Sequence, residues 1–157
     1  AACVLHELGH IASAAAFGGR VERLSLTVVG AELHIDYRAP LTYIKDSLVA
    51  LAGPGANLLA GGLFLALDWD LAAALTLAVG TFNLLPILPL DGGRVVYGLI
   101  ADRLDPDWAE RLMTALSGCL VGVLVGVGAV AAAYYANVTL LLTAIWLLAG
   151  VLRRESV

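Results

Sequence analysis

The chain is 157 residues long, room for one modest domain, with 61% hydrophobic residues, 14% charged residues and a formal net charge of -4. Soluble domains carry roughly 25% charged residues, so this composition excludes an ordinary soluble protein, and its long uncharged runs point to a membrane protein in contact with the lipid bilayer. No stretch gathers Lys and Arg as a nucleic-acid surface does, so no nucleic-acid partner is expected.

Residues 1–17 are Ala-rich and lack Pro, which predicts a helix ending at Gly18-Gly19. The chain opens directly in this apolar segment, an unusual start for a native protein, so a truncated N-terminus and a missing preceding helix are expected. Residues 20–40 alternate partly between apolar and polar, too polar to span a membrane, and predict two short strands with a turn marked by Gly30. Four uncharged runs come next in the chain: Ser47–Leu67, Leu71–Leu90, Leu112–Ala136 and Val138–Leu152. Each is read as a membrane crossing. Pro86 and Pro89 break the end of the second run, and a short amphipathic helix is expected at about 92–104. The expected fold is an all-α polytopic membrane protein, a single domain over 1–157. It has about five transmembrane segments, a short membrane-associated β-hairpin and one broken helix.

The basic residues bear on this layout. Arg20, Arg23, Arg38 and Lys45 follow the first helix, Arg94, Arg103 and Arg111 follow the third crossing, and Arg153 and Arg154 end the chain. The connections at 68–70 and 136–137 hold none, so every Lys and Arg falls on one side, the cytoplasm by the positive-inside rule. Two smaller features have bland expectations. Gly118, Gly122 and Gly126 line one helix face and are read as packing within the protein. Cys3 and Cys119, both in apolar runs, are read as two buried thiols.

His6-Glu7-Leu8-Gly9-His10 matches H-E-x-x-H. Residues i and i+4 of a helix share a face, so both imidazoles can grip one metal ion, and Glu7 beside them can act as general base towards an activated water. A chance match is disfavoured, because two His and one Glu within a membrane segment are expensive unless they do something. A catalytic zinc takes a third protein ligand. Asp91 is the better candidate: two prolines precede it and Gly92-Gly93 follow, a rigid non-helical frame around one carboxylate. The plainer reading of Asp91 is the N-cap of the next short helix. His34, the remaining histidine, lies in the polar segment and is read as a surface or interface residue.

His6–His10, together with the run Asn83-Leu84-Leu85-Pro86-Ile87-Leu88-Pro89-Leu90-Asp91-Gly92-Gly93-Arg94, resembles the site-2 protease family of intramembrane metalloproteases. That family pairs H-E-x-x-H on one transmembrane helix with N-x-x-P-x-x-P-x-D-G on a later one. The resemblance implies a zinc ion held by His6, His10 and Asp91, with Glu7 as base. It also implies that Asn83 holds the substrate strand or the developing oxyanion; without it, Asn83 reads equally as a packing residue. Ala52-Gly53-Pro54-Gly55-Ala56-Asn57 is similar to the family's A-G-P-x-x-N segment and is read as structural, with Asn57 bonding between helices. Residues 30–36 and 48–54 look most like a bacterial sporulation subgroup that cleaves a membrane-tethered sigma-factor precursor. That subgroup often carries a CBS domain after its last helix, whereas this sequence shows neither a CBS nor a PDZ domain. The resemblance thus implies a metalloendopeptidase of the bacterial cell membrane with its site towards the cytoplasm. Its partners would be membrane-tethered peptide substrates and regulatory membrane proteins. The competing expectation is a non-proteolytic membrane scaffold or transporter with a bound metal and an interrupted helix at 83–93.

Overall fold

The computed structural model describes residues 2–27, 30–37 and 39–155. The chain is mostly helical and forms two compact units, Ala1–Leu85 and Pro86–Val157.

In the first unit, helix α1 (Ala2–Ala16) ends where the sequence places the stop, with Gly18 at φ 82° in the left-handed region that glycine enters without strain. Strands β1 (Gly19–Thr27) and β2 (Gly30–Tyr37) pair antiparallel, with Gly19 opposite Tyr37 and Thr27 opposite Gly30. A register shift between Val21 and Arg23 marks a bulge. Gly30 thus opens β2, and the expected turn lies outside the described residues. Helix α2 (Tyr43–Ala66) starts four residues before the uncharged run, because Thr42 caps it by accepting from the Lys45 amide. Asp68, at φ 58°, turns the chain into helix α3 (Asp70–Asn83). This helix stops three residues before Pro86; the position preceding a proline is already disfavoured for helix. The expected 20-residue run is therefore a 14-residue helix followed by irregular backbone.

The second unit holds helices α4 (Asp91–Ala101), α5 (Pro106–Tyr135) and α6 (Thr139–Glu155). Asp105 caps α5 by accepting from the amides of Asp107 and Trp108, with Pro106 opening the helix. Helix α5 ends at Ala136 in the left-handed region, and the Asn137 side chain accepts from the Thr139 amide at the start of α6. Its buried face is Ala109, Met113, Ser117 and Val121, one residue of rotation away from the glycine row. Gly118, Gly122 and Gly126 consequently face open space rather than the packing expected of them. It is Gly128 that meets α6, where a Cβ would lie 2.8 Å from Leu141 Cα. Cys3 and Cys119 are exposed, not buried, because each sits off the packed stripe of its helix.

By length and composition, α2 and α5 are candidate membrane spans, and α3 and α6 are shorter apolar helices. Leu59, at 79% exposure, and Leu71, at 75%, typify apolar side chains that face outward along these helices.

Candidate metal centre

The i, i+4 spacing places His6 and His10 on the buried face of α1, with 7% and 8% of their surface exposed. The two rings meet edge to face at 87°, and their Nε2 atoms are 3.2 Å apart. Glu7 is half-buried on the same helix. Helix α2 supplies the backing for both rings on three successive turns. His10 Nδ1 donates to the Val49 carbonyl oxygen at 2.8 Å. Gly53 lies against the His10 ring so closely that a Cβ there would overlap it. The Asn57 amide is 3.4 Å from His6 Nδ1. Gly9 allows this approach from the α1 side, where a Cβ would run into the Ala52 backbone.

These contacts decide what the rings can do. A carbonyl oxygen only accepts, so His10 Nδ1 carries the proton and its Nε2 presents a lone pair. Two nitrogen ligands on a tetrahedral zinc, each at about 2.0–2.1 Å, stand roughly 3.3 Å apart. The observed 3.2 Å matches that spacing. The outer nitrogen of a metal-binding imidazole usually donates to a carbonyl, carboxylate or water, as that of His10 does. The pair fits a zinc ion.

Gly53→Ala is expected to push the His10 ring off its lone-pair direction. Bound zinc per chain, measured by mass spectrometry, should fall below half while the far-ultraviolet dichroism keeps its helical shape.

In the second unit, Asp91 is the first residue of α4 and 9% exposed. The N-cap is Leu90, whose extended backbone opens the helix without any side-chain cap, so the plainer reading of Asp91 as the cap does not hold. Instead the loop before it is clamped in three ways. The Leu90 amide donates to the Ile87 carbonyl at 2.7 Å. The fully buried Ser117 hydroxyl accepts from the Leu88 amide at 2.9 Å. Gly93 packs directly on the Ile87–Leu88 backbone, where a Cβ would be 2.7 Å from the Leu88 nitrogen. The Leu88–Pro89 bond is cis. Arg94 approaches the Asp91 carboxylate at 4.0 Å.

His6 and His10 each offer one nitrogen ligand from the first unit, and Asp91 offers a carboxylate from the second. The other sequence candidates are placed less specifically. Asn83 closes α3, and its amide donates back to the Val79 carbonyl at 2.9 Å. His34 is exposed on β2. Val49, Gly9, Gly53 and Ser117 do not stand out as site residues in the sequence; of these, only the small residues around Gly53 carry a signal, that of close backbone approach.

The Peptidase family M50 model matches residues 64–107, the stretch containing Asn83 and Asp91. The site-2 protease from Methanocaldococcus jannaschii superposes with a TM-score of 0.75 at 22% identity, over 97% of this chain and 73% of that one. The chain has the fold of a site-2 protease and matches Peptidase family M50 over that central stretch. Stage IV sporulation protein FB of Bacillus subtilis is 30% identical over 129 residues, 75% of this chain and 45% of that protein. A zinc metalloprotease of Methanocaldococcus jannaschii is 28% identical over 112 residues, 64% of this chain and 32% of its own length. The chain spans less than half the length of each of these two relatives.

Proposed function

We propose that this chain is the core of an intramembrane zinc endopeptidase that hydrolyses peptide bonds of membrane-tethered substrates. His6, His10 and Asp91 hold the ion, Glu7 is the general base and Asn83 binds the substrate strand. The observation that carries the reading is the 3.2 Å spacing of two imidazole nitrogens whose rings are backed by α2. When bound, zinc supplies Lewis acidity, polarising a scissile carbonyl and acidifying water. The residues of the chain do the rest. Glu7, one position from His6 on the same helix, takes the proton from the attacking water and returns it to the leaving amine. The clamped 86–90 loop fixes the backbone that carries the Asp91 carboxylate. Asn83 has one amide proton engaged with Val79, and its second can donate to the substrate backbone.

A membrane setting is supported by the aromatic residues that bracket the long helices. The exposed Tyr43 and Trp69 flank α2, and Trp108 and Tyr134, exposed near the two ends of α5, are 26 positions apart. At 1.5 Å per residue that is roughly 39 Å, close to the headgroup-to-headgroup thickness of a bilayer, where Trp and Tyr form belts. Within the proposed domain over 1–157, five crossings put every Lys and Arg on the cytoplasmic side of a bacterial cell membrane, with the site towards that side. Relatedness to stage IV sporulation protein FB supports a sigma-factor precursor as one substrate to try, under control of regulatory membrane partners.

The test is cleavage of single-pass substrates by the protein reconstituted in liposomes. A zinc chelator should stop the reaction and added zinc should restore it. Because a helix hides its peptide bonds, a substrate with Pro or Gly beside the scissile bond should be cut about 5–150-fold faster than an uninterrupted Leu helix, since these residues lower the unwinding requirement by about 1–3 kcal/mol. Equal cutting of the two substrates, or cutting that persists without metal, would contradict the proposal.

A further inference from the structure

Asn57 is a polar side chain of α2 beside His6, it takes no part in the proposed reaction, and it is fully buried at 0% exposure. As placed, its Nδ2 faces His6 Nδ1 at 3.4 Å, and its Oδ1 is buried without a hydrogen-bond partner among the described residues. An orphaned buried carbonyl oxygen costs about 1–3 kcal/mol. The oxygen and nitrogen of an amide are assigned from their partners, so reversing this amide is open on chemical grounds.

The two orientations have different consequences for the metal pair. With Nδ2 donating to His6 Nδ1, the His6 proton must sit on Nε2, pointing at the His10 lone pair 3.2 Å away. That arrangement satisfies the rings without an ion and leaves Oδ1 orphaned. With the amide reversed, Oδ1 accepts from His6 Nδ1–H, the orphan disappears and both Nε2 lone pairs face one gap. Two facing lone pairs at that distance call for a cation between them.

We propose that Asn57 is the positioning residue of His6: its side-chain oxygen accepts the Nδ1 proton and so commits Nε2 to the metal ion. It plays for His6 the part that the Val49 carbonyl plays for His10. Gly80 of α3 makes the room, since a Cβ there would sit 2.9 Å from the Asn57 Cβ. The inference rests on the zinc-hydrolase reading and adds the group that sets the ligand's tautomer.

Two variants separate acceptor from filler. Asn57→Asp keeps the shape and offers only acceptors; Asn57→Leu keeps the volume and offers none. The readouts are zinc affinity by competition with a chromophoric chelator and the visible d–d spectrum of the cobalt-loaded protein. Asn57→Leu should weaken zinc about 10–100-fold and shift the cobalt bands, while Asn57→Asp should stay within about threefold of wild type with unchanged bands. If Asn57→Asp loses zinc or fails to fold while wild type binds it, the amide donates rather than accepts, and the inference is overturned. It is overturned equally if Asn57→Leu binds zinc as wild type does. Absence of zinc binding by wild type itself would instead sink the hydrolase reading.

Discussion

Glu7→Gln is expected to reduce cleavage by about 10²–10⁴-fold, the usual worth of a positioned general base, with zinc content unchanged. The substitution keeps size and helix position, and Glu7 is not one of the three proposed ligands. What disappears is the ability to take a proton. Both quantities come from one preparation, turnover of a reconstituted substrate and zinc by mass spectrometry. Loss of zinc alongside activity would mean that Glu7 acts structurally. Retention of full cleavage would remove Glu7 as the general base, whereas absence of metal-dependent cleavage by wild type would return the chain to the class of metal-binding scaffolds or transporters.

Asp91→Asn should have the opposite signature. The helix does not need this carboxylate as a cap, because Leu90 opens α4 with backbone alone. The loss to the fold is that of a negative charge in the first turn, about 0.3–1 kcal/mol. Zinc, however, loses its anionic ligand, so affinity should fall by more than about 100-fold, beyond the range of outer-shell changes, and cleavage should drop to background. Dialysis against a chelator followed by metal analysis gives the affinity, and thermal unfolding without metal gives the small fold term. A variant that stays fully loaded would remove Asp91 from the ligand set.

Much of the fold and the site is legible in the sequence because the signals are local. The i, i+4 histidines, the Gly18 stop and the two-proline loop before Asp91 each state their geometry within a few residues. The segment boundaries are less legible because hydropathy ignores capping: Thr42 and Asp105 extend α2 and α5 through charged residues that the uncharged runs leave out. Packing faces are not legible where two stripes compete. On α5 the glycine row looks like the contact, but the buried row through Met113, Ser117 and Val121 lies one residue away. Val49 has no signal at all, since it contributes a main-chain oxygen that any residue would supply. Ser117, 29 positions from the amide whose hydrogen bond it accepts, reads as an ordinary hydroxyl in an apolar helix.

The row Val49, Gly53 and Asn57 along α2 has a consequence for how this segment can drift in evolution or be recoded in the laboratory. The three positions stand side by side behind the same two rings, yet each is constrained for a different reason. The first contributes only backbone, so its identity is free apart from fitting a buried apolar slot. The second must have no side chain. The third must keep one oxygen in place. A saturation library across this stripe should therefore yield many, one and two acceptable residues in turn, a gradient that no measure of burial or hydrophobicity along the helix would reproduce.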